Sequence, residues 1–180
     1  LAGIAFDITA RRQRDSEQQN AIHNEQAIHD LTRVRNHRAL METLQMEMDY
    51  SQHAEHDLCI VLLDLDDLNR VKKTWGHVFA CKVLSDFTSI VQNSIRGSDT
   101  FGRHGEEEFL LILPGTPLDT AIQIAERIRK AVEDHRFIRG IHVLVSAGVR
   151  QFTGEIMSDF IRLAGENLYK AKTTGKNRVV

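Results

Sequence analysis

Residues 58–67 read Leu58-Cys59-Ile60-Val61-Leu62-Leu63-Asp64-Leu65-Asp66-Asp67. A continuous apolar run of this length suits a strand buried on both faces, because a half-solvated strand alternates apolar and polar residues instead. The run ends in acids. Side chains alternate along a strand, so Asp64 and Asp66 point the same way. Carboxylates at the C-terminal end of such a strand lie at the sheet edge, where α/β sites form. Two hard oxygen ligands at that place suit Mg²⁺, which is held by one or two carboxylates plus substrate phosphates.

Working outward, the flanking segments read as the layers that would cover this strand. Residues 37–54 predict a helix, with Leu40, Leu44 and Met48 at i, i+4 and i+8 and Asn36 as its N-cap. Residues 78–95 predict a second helix, with Val83, Leu84, Phe87, Ile90 and Val91 on one side. Short strands are expected at 99–103 and 108–113, a helix at 117–134, a strand at 141–149 and a helix at 157–173. Gly175 would end that last helix, and Arg178–Val180 would add a final strand. The expected fold class is α/β, an α+β sandwich with a central mixed β-sheet flanked by helices. Ahead of it, residues 9–30 are polar and free of Pro and Gly, with a thin apolar stripe at Ala21, Ile22 and Ile28. They read as a linker or signalling helix, and residues 1–8 as the tail of a preceding domain.

Composition narrows the function. The chain has 180 residues, 42% hydrophobic and 27% charged, with a net charge of −2. That is about one ordinary globular domain. The charge balance argues against a nucleic-acid binder. No apolar run approaches the ~18 residues of a membrane span. Two cysteines, Cys59 and Cys81, exclude a disulfide framework and fit a reducing cytoplasm. The first residue is Leu, and the chain reads as a piece of a longer protein.

A second acidic cluster, Gly105-Glu106-Glu107-Glu108-Phe109, falls in the turn between the two short strands. Three consecutive acids repel one another, and near Asp64 they call for a cation.

These segments, with several others in the same order, resemble the GGDEF domain, the diguanylate cyclase fold of bacterial second-messenger signalling. Asp30-Leu31-Thr32 with Asn36-His37-Arg38 is similar to the family's opening D-x-LT-G-L-x-N-R-R, and Asp64-Leu65-Asp66 to its D-I-D. Trp75-Gly76-His77 resembles Y/F-G-H, and Arg96, Asp99 and Arg103 resemble R-x-x-D-x-x-x-R. Gly105–Phe109 sits where the signature GGDEF or GGEEF belongs, and Ser146–Val149 resembles S-I-G-V. Leu168–Lys172 and Gly175–Arg178 resemble the closing L-Y-x-A-K-x-x-G-R-N. The resemblance covers residues 30–180. Residues 1–8 resemble the end of a PAS sensor domain.

The resemblance implies a nucleotidyl-cyclase or palm-like fold, and a reaction in which two facing domains join two GTP into cyclic di-GMP. It implies that Asp64 and Glu107, helped by the Leu65 carbonyl, would hold Mg²⁺ or Mn²⁺, with Glu107 and Glu108 the catalytic acids. Substrate would meet Asp66, Leu68, Lys72 and Cys81, with Lys172 and Lys176 on the triphosphate. Arg96, Asp99 and Arg127 would form an inhibitory site for cyclic di-GMP, where arginines stack on and pair with guanine. Expected partners are cyclic di-GMP or GTP, a second copy of the chain and an upstream PAS-like sensor.

Several positions depart from the family pattern. Lys72 and Cys81 stand where the family has its guanine-reading Asn and Asp, and Glu106 stands at the second glycine of the signature. Cys81 is a poor acceptor for the guanine N1–H and amine. If position 106 needs positive φ, a glutamate there is strained. Lys176 replaces an Arg, Gly165 an Asp and Arg33 a Gly. The expected function is therefore a GGDEF domain with degenerate or weak catalysis that binds cyclic di-GMP as a regulatory ligand. An active diguanylate cyclase and a nucleotide-free dimerisation or scaffold module are the alternatives.

Overall fold

The computed structural model describes residues 34–180. The expected domain tail at 1–8, the linker helix at 9–30 and Arg33 lie outside the described residues. Within them the chain forms α1 (His37–Ala54), β1 (Leu58–Asp66), α2 (Leu68–Trp75), α3 (His77–Asn93), β2 (Thr100–Arg103), β3 (Glu108–Pro114), α4 (Leu118–Asp134), β4 (Leu144–Gln151) and α5 (Met157–Thr173). The strands make one sheet in the order β2-β3-β1-β4. β1 is central and pairs antiparallel with β3 on one side and β4 on the other. β2 pairs antiparallel with β3. The sheet is mixed only through two single parallel bridges, Arg35 with Gly102 and Ala147 with Val179. The second falls within residues 178–180, where the expected strand is reduced to this single bridge.

β1 shows why a continuous apolar run was needed. Its odd residues, Cys59, Val61, Leu63 and Leu65, pack with Val83, Phe87, Phe109, Ile128 and Val132 beneath α3 and α4. Its even residues, Leu58, Ile60 and Leu62, pack with Leu40, Leu44, Phe160 and Leu168 beneath α1 and α5. Each face is closed by a helical layer, so the strand meets water on neither. The even row continues into Asp64 and Asp66. Carboxylates therefore stand where the α5-side core ends.

The helices cover the sheet with the periodic faces read from the sequence. In α4, Ala121, Ile124, Ala125, Ile128 and Val132 are all buried. Asn36 caps α1 by accepting from the Ala39 amide at 3.0 Å. The helix expected at 78–95 runs over 77–93 and is preceded by a separate helix, α2. Only Leu68 of α2 is buried, so its eight residues carry almost no apolar periodicity. β4 begins at Leu144 rather than 141, because residues 138–140 form a 3-10 turn with Arg139 left-handed at φ 59°. Cys59 is buried as core, and burial pushes its thiol up to about 12. Among the described residues no helix is long and apolar enough to cross a membrane.

Candidate functional site

The end of β1, the start of α2, the β2–β3 turn and the last turn of α5 meet at one edge of the sheet. Asp64 lies opposite Glu108 in the β1–β3 register. Lys172 of α5 sends its Nζ to within 2.8 Å of Asp64 Oδ1 and 3.8 Å of Asp66 Oδ1. Burial is the main force on Asp64 and holds its carboxyl above the usual range; Lys172 opposes it, while Glu108 and Asp66 add to it. Glu107 is raised as well, first by burial and then by the field of Asp64. The charge of Asp64 thus disfavours ionisation of Glu107 across the cleft, while Glu108 and Asp66 disfavour that of Asp64.

That is the electrostatic condition in which a divalent cation is welcome. Among the described residues no three His, Cys, Asp or Glu converge to hold an ion unaided. Two carboxylates fit Mg²⁺ if the remaining ligands are phosphates and water. Asp64 and Glu107 fit that role together with the Leu65 carbonyl on the same strand.

Asp66, whose backbone amide is expected to help cradle phosphate, turns its side chain into the protein. It is buried. The Ser146 hydroxyl donates to both its oxygens, at 2.8 and 3.0 Å, and the Asn177 amide donates at 3.0 Å. The side chain ties β1 to β4 and to the loop after α5. Asp67, next along, is left-handed at φ 59° and offers no side-chain cap to α2. Instead it accepts from Lys176 Nζ at 2.6 Å, a bond that holds its carboxyl below the usual range. Lys172 and Lys176, the expected triphosphate ligands, therefore both stand at this edge, Lys172 paired with Asp64 of β1 and Lys176 with Asp67 just after it.

Leu68, Lys72 and Cys81 come together as expected. They line a cavity between α2, α3 and the β2–β3 turn, with Ala80, Leu84 and Glu106. It encloses about 50 Å³, well below the ~300–1,000 Å³ of most small-molecule sites. Lys72 Nζ and Glu106 Oε1 form an ion pair at 3.2 Å across it. Cys81 Sγ lies 3.2 Å from His77 Nδ1. The strain anticipated at position 106 is absent: Glu106 is not among the residues with positive φ. The turn is instead fixed by Arg103, which donates to the Gly105 carbonyl at 3.1 Å and to the Glu106 carbonyl.

Arg96, Asp99 and Arg127 form a second cluster beyond the C-terminal end of α3. Asp99 is buried, and its Oδ2 accepts from the Arg96 amide at 2.9 Å. Its Oδ1 is buried with no hydrogen-bond partner. The Arg96 guanidinium reaches the Thr116 hydroxyl at 3.4 Å. Arg127 on α4 donates to the Ser94 carbonyl at 2.7 Å, which brings it to the same corner.

The sequence reading missed the partners that hold these groups. Arg103 buttresses the acidic turn. Asn69 donates to Glu107 Oε2 at 3.5 Å. Ser146 and Asn177 clamp Asp66. A serine inside the apolar stretch 143–149 is a signal the sequence carries, because a hydroxyl buried with its neighbours requires a partner.

The family profile described as "Diguanylate cyclase, GGDEF domain" matches residues 27–178. The chain belongs to the GGDEF family. This GGDEF domain is 34% identical over 146 residues to diguanylate cyclase A of Treponema denticola, covering 76% of the chain and 39% of that protein. It is 32% identical over 180 residues to diguanylate cyclase DgcM of Escherichia coli, covering 98% of the chain and 42% of that protein. The chain thus spans less than half the length of these relatives. Among solved structures, diguanylate cyclase SiaD of Pseudomonas aeruginosa, in complex with its activator SiaC, superposes with a TM-score of 0.84 at 32% identity, over 96% of this chain and 68% of that one. The coiled coil and GGDEF domain of DgcB from Caulobacter crescentus, in complex with c-di-GMP, gives a TM-score of 0.90 over 97% of this chain and 95% of that one; at 23% identity this speaks for the fold alone.

Proposed function

We propose that this domain serves cyclic di-GMP signalling by binding GTP at the β1 edge, with Mg²⁺ or Mn²⁺, and joining two GTP into cyclic di-GMP across a pair of domains. The observation that carries this reading is the meeting at the β1 edge of Asp64 and Glu107, each held above its usual range chiefly by burial, with Lys172 and Lys176 beside them. Two carboxylates held above their usual range and two ammonium groups match a metal–triphosphate, whose charges are the inverse. Bound metal would neutralise charge on the transferring phosphoryl group. The chain's own residues do the rest. Lys172 and Lys176 would leave Asp64 and Asp67 for phosphate oxygens. Arg103 keeps the acidic turn in place so that Glu107 faces Asp64. Glu108, opposite Asp64, adds a further acid close to the attacking hydroxyl. The relatives named diguanylate cyclases support the same chemistry.

The test is incubation of the protein with GTP and Mg²⁺, with cyclic di-GMP as the readout. Product should form in the wild type and fall at least ~100-fold in Glu107→Ala, the scale on which removing a charge-stabilising group acts. Equal product from both would overturn the placement of the site.

A second reading is regulatory binding of cyclic di-GMP at Arg96, Asp99 and Arg127, with catalysis weak or lost. The buried, unpartnered Asp99 Oδ1 supports it, with the Arg96 guanidinium 3.9 Å from the other oxygen of that carboxylate, since an orphan buried acceptor is costly unless a donor meets it. Calorimetry should show cyclic di-GMP binding that Arg96→Ala abolishes; unchanged affinity would sink this site. We also propose that residues 1–8 and 9–30 link the domain to an upstream PAS-like sensor in the cytoplasm.

A further inference from the structure

We propose that Glu106 and Lys72 form a base-reading pair that selects guanine, with Glu106 supplying, from the opposite wall, the carboxylate that Cys81 does not provide. The inference rests on the proposed binding of a nucleoside triphosphate at the β1 edge, and it identifies which base that site accepts and through which atoms.

The cavity beside the carboxylates has an apolar floor of Leu68, Ala80 and Leu84, which suits the flat face of a heterocycle. Its polar wall is the question. Cys81 is engaged with His77, and a thiol is a weak acceptor in any case. Glu107 is turned toward Asn69 and the field of Asp64. That leaves Glu106 as the carboxylate free to serve the cavity. Its backbone is locked by Arg103, while its side chain is 80% exposed and can swing. Lys72, across the cavity, is 32% exposed.

The two side chains now satisfy each other at 3.2 Å on the wall of the cavity, which encloses about 50 Å³. An exposed ion pair of this kind contributes little, so exchanging it for a base edge is cheap. Guanine presents an acceptor, O6, beside two donors, N1–H and the exocyclic amine. An ammonium meets the first, and the two oxygens of one carboxylate meet the other two. Adenine offers one donor and one acceptor and leaves a carboxylate oxygen unpaired. Hypoxanthine lacks the amine and does the same. Each mismatched base thus forfeits one hydrogen bond to a charged group, and that loss sets the discrimination.

The experiment is competition binding of GTP, inosine triphosphate and ATP against a fluorescent GTP analogue, in Mg²⁺, using the 180-residue chain. Wild type should prefer GTP to both competitors by roughly 10–100-fold, the range of one hydrogen bond to a charged group. Glu106→Gln should bring the GTP-to-inosine triphosphate ratio to about one. Adding Cys81→Asp to that variant should restore the preference, which an unfolded or merely weakened protein could not do. An unchanged ratio in Glu106→Gln, or three nucleotides bound alike by the wild type, would overturn the base-reading pair and leave the triphosphate site standing. Failure to bind any of the three would overturn both.

Discussion

Asp64 carries a conflict between stability and function. Its pKa is raised, chiefly by burial, from the ordinary 3.8. The folded state therefore holds that proton more tightly than the unfolded chain, and ionised Asp64 destabilises the fold at neutral pH. The cost is full above the raised folded value and vanishes below 3.8, where both states are protonated. Asp64→Asn should accordingly melt higher than the wild type at pH 7 while losing Mg²⁺-dependent nucleotide binding. The gap in Tm should narrow as pH falls through the raised value toward the ordinary one. Lys172 keeps Asp66 as a partner at 3.8 Å in that variant, so no cation is stranded. A variant that melts at or below the wild type at pH 7 would show that Asp64 is not under strain. The sequence made Asp64 and Asp66 legible as a pair because strand alternation is local. It did not separate their roles. Asp66 is fixed by Ser146 and Asn177, 80 and 111 residues away, and no local pattern carries such distances.

At the scale of elements, legibility followed the strength of the apolar period. α1 and α5 fall at the expected residues 37–54 and 157–173, since each carries several buried residues at helical spacing. α2 has one and was invisible, although it builds a wall of the base cavity. The departures at positions 72, 81 and 106 were readable singly, but the ion pair that joins two of them spans 34 residues. One element contact lies outside side-chain patterning altogether. Gly148 of β4 lets α5 approach so closely that a Cβ there would stand 2.2 Å from the Ala164 carbonyl oxygen and 2.3 Å from the Leu168 amide. Both obstacles are backbone, so neither can rotate away. Gly148→Ala should cost about 3 kcal/mol, the upper part of the range for overpacked cores. Urea unfolding followed by circular dichroism measures it, and a loss under ~0.5 kcal/mol, the scale of neutral surface changes, would mean that β4 and α5 do not pack this tightly. Since α5 delivers Lys172 to Asp64, the same variant should weaken nucleotide binding.

On the scale of the whole molecule, α4 spans the two candidate sites. Arg127 reaches Ser94 near Arg96 and Asp99. Two residues on, Arg129 donates to Asn177 Oδ1 at 3.0 Å, and Asn177 in turn holds Asp66. A ligand at the first corner thus lies one helix away from the loop that carries Lys176. Catalysis places a further demand on assembly. The described residues of one copy bring together one Asp64–Glu107 pair and one Lys172–Lys176 pair, enough for one triphosphate. Joining two GTP then requires two copies facing each other, each presenting its own nucleotide. Below the dimer dissociation constant the amount of dimer grows with the square of total protein, so specific activity should rise in proportion to concentration and level off once dimer dominates. Light scattering across the same concentrations should show mass doubling where activity levels off. Specific activity that stays flat while the protein remains monomeric would mean that one copy completes the reaction, and the single-triphosphate account of the β1 edge would fall with it.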